Sequence, residues 1–151
     1  MPSHSESRTM PYAAGQMYDL VADVGRYPEF LPWTAAARVR SRNIRADGSE
    51  VLEADLVIAF MVFRERFGSR VTLWPDKGAI DTEYLDGPFH HLWSKWSFTD
   101  LAGGGCEVSF IVDFKFRNAV LQKLIGSVFD EAMHRVVRAF EERARSLYGP
   151  R

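Results

Sequence analysis

The C-terminal segment constrains this chain most. From Asn118 to Tyr148 there is no proline, and Leu121, Leu124, Ile125, Val128, Phe129, Ala132, Val136, Phe140, Ala144 and Leu147 recur at three- and four-residue steps. That spacing predicts one long helix with a single apolar face. Asn118 is a good N-cap for it, and Gly149-Pro150 is a clean stop. A face that wide needs an apolar partner surface, and the preceding segments offer one.

Those segments alternate in the manner of half-buried strands. Cys106, Val108, Phe110, Val112, Phe114 and Phe116 alternate with Glu107, Ser109, Asp113, Lys115 and Arg117, the clearest case in the sequence. Leu52 to Phe60, Phe63 to Leu73, Ala79 to Leu85 and Leu92 to Phe98 follow the same rule. Ala35 to Asn43 places Arg38, Arg40 and Arg42 on one side and Ala37 and Val39 on the other. Turn residues at Ala46-Asp47-Gly48, Pro75 to Gly78, Asp86 to Pro88 and Ala102 to Gly105 separate the runs. Arg8 to Tyr12 is a short first strand and Ala14 to Val24 a helix ended by Gly25, while Met1 to Ser7 reads as a loose polar tail. The order predicts one α+β domain over residues 8–149, an antiparallel sheet wrapped around the last helix.

Bulk properties narrow the function. The 151 residues include 46% hydrophobic and 13% aromatic residues at a formal net charge of -1. That suits a large core or a wide apolar cavity and disfavours a dedicated DNA binder. Cys106 is the lone cysteine, which excludes an internal disulfide and a cysteine-cluster metal site. The N-terminus has no apolar stretch like that of a secretory signal, and no run is long enough to span a bilayer. The expectation is a cytoplasmic protein that touches a membrane only at its surface.

Val21-Ala-Asp-Val-Gly-Arg-Tyr27-Pro-Glu-Phe30-Leu31-Pro32-Trp33 resembles the first-helix signature of the coenzyme Q-binding, START-like proteins. Gly87-Pro88-Phe89, Trp96 with Phe98, and Ala139-Phe140-Glu141 to Leu147-Tyr148-Gly149 match that family in the same order, so the resemblance spans about Thr9 to Gly149. It implies a helix-grip fold with an apolar tunnel between sheet and helix, and binding of ubiquinone or another polyprenyl lipid in support of respiration. Some bacterial relatives are described instead as ribosome-association toxins acting on the large subunit, and the wider superfamily includes polyketide cyclases. Many relatives carry cysteine after the proline-tryptophan pair, where this chain has Thr34.

On this reading Leu56, Ile58, Phe67, Trp96, Phe110, Val112 and Phe114 face Leu124, Val128 and Phe129 across the tunnel. Each buried methylene of a lipid tail contributes roughly 0.8 kcal/mol. The alternative is a filled core with no cavity. Glu65 and Ser69 are polar residues on the same strand face, placed to meet a head group, unless Glu65 lies near the sheet rim or pairs with an arginine. Gly126 either permits a close approach or only weakens the helix.

Phe60-Met61-Val62-Phe63 lies where two strands should turn but lacks turn residues, so either Met61 and Val62 touch a membrane or a partner copy, or the strands continue straight there. Gly87-Pro88-Phe89 is either a second gate, with Phe89 as its movable side chain, or an ordinary tight turn packed by an aromatic. Arg38, Arg40, Arg42, Arg64, Arg66 and Arg70 share an outer face with Glu53 and Asp55. They form either a cross-strand charge ladder or a patch for ribosomal RNA or acidic lipid. Enzyme signatures are weak. His4, His90, His91 and His134 show no metal-ligand spacing with acids or Cys106, and Asp130 is placed to pair with His134 at four residues' spacing. No convincing acid–base pair stands out for a cyclase, so neither a cofactor nor a metal is expected.

Overall fold

The computed structural model describes residues 3–60 and 62–150. Seven antiparallel strands form one sheet in the order β1-β7-β6-β5-β4-β3-β2. They are β1 (Ser3–Met10), β2 (Thr34–Ile44), β3 (Glu50–Phe60), β4 (Phe63–Trp74), β5 (Ala79–Asp86), β6 (Phe89–Asp100) and β7 (Cys106–Phe116). Between β1 and β2 lie α1 (Ala14–Ala22) and a 3-10 turn at Val24–Glu29, and after β7 comes α2 (Ala119–Tyr148). Consecutive strands from β2 to β7 pair as a meander because tight turns join them. Asp47 makes one such turn by accepting hydrogen bonds from the Ser49 amide at 2.9 Å and the Ser49 hydroxyl at 2.7 Å.

The strand predictions hold with shifts of a few residues, except at the N-terminus. The expected tail is corrected over Ser3 to Ser7, which belong to β1, paired in register with Asp113 to Ser109 of β7, while Met1 and Pro2 lie outside the described residues. The β-strand extends there because β7 presents an unpaired edge, and backbone groups at a sheet edge find partners in another strand. The helix α1 stops at Ala22, earlier than Gly25, and the chain tightens into the 3-10 turn.

α2 starts where its cap dictates. The Asn118 side chain accepts from the Val120 and Leu121 amides at 2.9 and 3.0 Å, satisfying two donors the helix leaves free. Its buried residues are Leu121, Phe129, Ala132, Val137, Phe140 and Ala144. Phe140 sits among Trp96, Phe30 and Tyr27, with ring centroids at 5.0, 5.2 and 5.5 Å. A large apolar side chain buried this way contributes about 1.5–3 kcal/mol. The aromatic–proline segment after α1 therefore anchors the C-terminal half of α2. Glu29 strengthens the anchor by accepting from Arg143 at 2.8 Å.

Candidate functional site: an apolar cavity under the N-terminal half of α2

Where the sheet curves away from α2, a cavity of about 230 Å³ remains. The sheet supplies Leu56, Ile58 and Phe60 from β3, Phe63, Glu65 and Phe67 from β4, Phe89 and Leu92 from β6, and Val112, Phe114 and Phe116 from β7. The helix supplies Leu121, Ile125, Phe129, Ala132 and Met133. Trp33 and Thr34 complete the wall. The inward parity of each strand explains the apolar lining, since residues of even number on β3 and β7 and of odd number on β4 share one face.

The structure brings together Leu56, Ile58, Glu65, Phe67, Phe89, Val112, Phe114 and Phe129 of the residues expected to line a tunnel. It does not bring Trp96, Phe110, Ser69, Leu124 or Val128 there, and these placements are corrected. Trp96 and Phe110 pack on each other at 4.3 Å, and Trp96 also meets Phe140, so they fill the far end as core. Ser69 is buried opposite Ala54, farther down the strand than the cavity reaches. Leu124 and Val128 are 36% and 41% exposed. At 100° per residue the expected stripe was wider than the surface the sheet covers, and its flank turned to solvent. Leu121, Ile125, Ala132 and Met133 take the place of Leu124 and Val128, a row that the three- and four-residue spacing already contained in part.

Glu65 is the one ionisable side chain in the wall among the described residues, and no hydrogen bond or ion pair reaches it from them. The expected pairing with an arginine is therefore absent. Neighbouring Arg66 instead bonds Asp55 and, at 3.2 Å, Asp86, and these two carboxylates push its pKa up. The charge ladder alternative thus describes most of the outer face: Arg40 meets Asp55 at 3.3 Å and Arg70 meets Glu53 at 3.7 Å. A register shift between Val39 and Ser41 reverses parity, so Arg42 stands opposite Leu52 and reaches Glu50 at 3.8 Å, off the expected outer face. Arg38 and Arg64 are exposed and make no ion pair among the described residues.

One end of the cavity is aromatic. Trp33 lies at φ 61°, a left-handed conformation that is uncommon outside glycine. The turn directs its ring edge-on against Phe60 at 5.8 Å, and its carbonyl accepts from the Ala59 amide at 2.8 Å. Such local strain clusters at functional sites. The adjoining β3–β4 tip exposes 91% of Val62. Met61 lies outside the described residues. The Phe89 gate is corrected: Phe89 is buried, stacked on Phe116 at 4.5 Å and edge-on to Phe67 at 5.3 Å. Gly87, at φ 136°, permits this, because a Cβ there would come within 2.7 Å of the Phe67 Cβ.

Burial and the Asp100 charge push the Cys106 thiol up, which suits an inert core residue. Outside the cavity wall, His4 and Glu6 of β1 meet His134 of α2, a cluster that sequence spacing did not reveal.

The fold and this cavity define a helix-grip domain of the START type. The chain belongs to the family described as polyketide cyclase/dehydrase and lipid transport, which matches residues 10–141. It is 39% identical over 150 residues to the ribosome association toxin RatA of Rickettsia prowazekii, covering 97% of this chain and 99% of that protein. It is 33% identical over 150 residues to the coenzyme Q-binding protein COQ10 homolog B, mitochondrial, of Xenopus laevis, covering 97% of this chain and 59% of that longer protein. A START superfamily protein from Mycobacterium smegmatis shares the fold, with a TM-score of 0.78 at 19% identity over 96% of this chain and 98% of the other. Among the described residues no helix is long and apolar enough to cross a membrane.

Proposed function

We propose that this protein binds ubiquinone or a related isoprenoid lipid and delivers it to the respiratory chain without transforming it. The observation that carries this is the cavity between sheet and α2, walled by aliphatic and aromatic side chains with Glu65 as its only ionisable group among the described residues. The relative whose name records coenzyme Q binding supports the choice of ligand. A cavity of about 230 Å³ is smaller than the roughly 300–1,000 Å³ of sites that enclose a drug-sized ligand. It therefore takes a segment of the lipid, and the remainder leaves past Trp33, Phe60 and Phe63.

Quinone carbonyls are acceptors, so the Glu65 carboxyl meets them through its own proton or a bridging water. A cyclase needs a second positioned acid or base, and no other ionisable group among the described residues lines the cavity. Val62 and the α2 residues Val120, Leu124 and Val128 are large apolar side chains left exposed. They suit shallow contact with a membrane surface, where a hydrophobic quinone is collected. On this reading the protein works in the cytoplasm, peripheral to the respiratory membrane.

The test is native mass spectrometry with solvent extraction of the protein purified from a quinone-producing host. Stoichiometric ubiquinone supports the proposal. An empty protein that also fails to take up added quinone overturns it.

A second reading, association with the large ribosomal subunit, is favoured by the similarity, over 97% of this chain, to a protein named for ribosome association and by the exposed Arg38 and Arg64, which make no ion pair among the described residues. It predicts salt-sensitive co-sedimentation with ribosomal subunits that is lost on neutralising both arginines. Co-sedimentation unchanged in that double variant would count against the arginine face.

A further inference from the structure

On β1, His4, Glu6, Arg8 and Met10 share inward parity with Phe110, Val108 and Cys106 of β7 and so face α2. The side chains of His4 and Glu6 are only 8% and 11% exposed. Glu6 Oε1 lies 2.9 Å from both His4 Nε2 and His134 Nδ1. The three ligand-capable atoms lie within 4.8 Å of one another, from two elements far apart in sequence. The His4 and His134 rings meet edge-on, with centroids at 5.2 Å.

We propose that His4, Glu6 and His134 bind one divalent transition-metal cation of the zinc class, tying β1 to α2 beside the cavity. The donor set is two imidazoles and one carboxylate, which suits zinc better than calcium or magnesium. Bonds of about 2.0–2.2 Å separate neighbouring ligand atoms of a tetrahedral site by roughly 3.3 Å. The two Glu6–histidine spacings of 2.9 Å lie close to that value, and the two imidazole nitrogens, within 4.8 Å of each other, draw together by up to about 1.5 Å to admit the ion.

The surroundings are arranged as an outer shell. Asp130 Oδ1 lies 3.3 Å from His4 Nδ1, and with the ring proton on Nδ1 it accepts that hydrogen bond, which leaves Nε2 free for the metal. Arg8 bonds Glu6 Oε2 and so directs Oε1 at the two rings. A neutral imidazole has one N–H, yet His4 has a carboxylate oxygen at each ring nitrogen. A cation at Nε2 resolves this without a second proton. With both rings neutral, Glu6, Asp130 and Glu141 carry three negative charges and Arg8, which reaches Glu141 at 3.4 Å, carries one positive. A divalent cation balances that excess. The His4 ring also lies edge-on to Phe129 at 6.2 Å, and Phe129 lines the cavity. The metal thus fixes a neighbour of the cavity wall.

The experiment titrates the metal-stripped full-length chain with Zn²⁺ by calorimetry, and with Co²⁺ by visible absorption. The expected result is one equivalent bound, a ligand-field spectrum of mixed nitrogen and oxygen donors, and a raised Tm. His134→Gln, at a half-exposed helix position, removes this binding in a protein that keeps its circular dichroism. Asp130→Asn weakens it by about 10- to 100-fold, and His90→Ala leaves it intact. Failure of the folded wild-type chain to bind either ion overturns the proposal. So does binding that survives His134→Gln, which would mark an adventitious surface site.

Discussion

Glu65 and Gly126 show what single residues contribute. Glu65 sits on an apolar wall without a partner among the described residues, which lowers stability and leaves a polar group ready for a ligand. Glu65→Leu is expected to raise the free energy of unfolding by on the order of 1 kcal/mol in urea titration while altering head-group selectivity. Unchanged or lower stability would mean that the carboxyl is satisfied by solvent. A Cβ at Gly126 would meet nothing within 4 Å, so no close approach of the sheet calls for glycine there and the residue weakens α2. Gly126→Ala should stabilise the protein by about 1 kcal/mol, read as a higher Tm. Glu65 was legible as a polar break in an apolar alternation. Whether an arginine would reach it was not, because that depends on which carboxylates the cross-strand register gives to each arginine.

At the scale of elements, α2 decides the site. Its cap predicts that Asn118→Ala costs about 1 kcal/mol, since the Val120 and Leu121 amides lose their acceptor. Its rotation about its own axis predicts a contrast between neighbours. Ile125 faces the cavity and Val128 is 41% exposed. Ile125→Trp should fill the cavity and abolish quinone uptake in a folded protein, whereas Val128→Trp should leave uptake in solution intact. Binding measured by fluorescence quenching with a short-chain quinone separates the two. The spacing of apolar residues revealed the helix and its approximate face. The sheet edge that covers part of that face set the boundary between lining and flank, and no spacing rule contains it. β1 was harder still. Ser3, Ser5, Ser7 and Thr9 alternate with His4, Glu6, Arg8 and Met10, a period-two signal that apolar counting misses because both faces are largely polar.

The whole molecule holds β-sheet, first-helix region and α2 together partly through charge. Hydrogen bonding to Arg143, opposed by slight desolvation and aided by the charges of Arg26 and Arg143, holds the Glu29 carboxyl below its ordinary value of 4.5. The Ser49 hydroxyl and amide likewise hold Asp47 low at the β2–β3 turn. A depressed carboxylate contributes stability that is present above its unfolded pKa and lost as pH falls through the folded one. Wild type should therefore exceed Glu29→Gln in Tm at neutral pH, with the gap closing as pH drops below 4.5. A gap that persists in acid would assign the effect to packing of Arg143 over the Phe30 ring, 5.1 Å away.

Apart from the N-terminal part of β1 and the parity reversal in β2, the sequence by itself determined the elements, their order and the inward faces of the strands, because the periods of helix and strand are local properties of the chain. It also carried the family signature, whose Tyr27 and Phe30 serve as anchors for Phe140. Only the tertiary structure decided that the core is incomplete under the N-terminal half of α2, which depends on how far the sheet curves from the helix. It alone brought His4 and Glu6 to His134, since contacts between residues far apart in sequence arise from strand pairing and packing and leave no mark in local spacing.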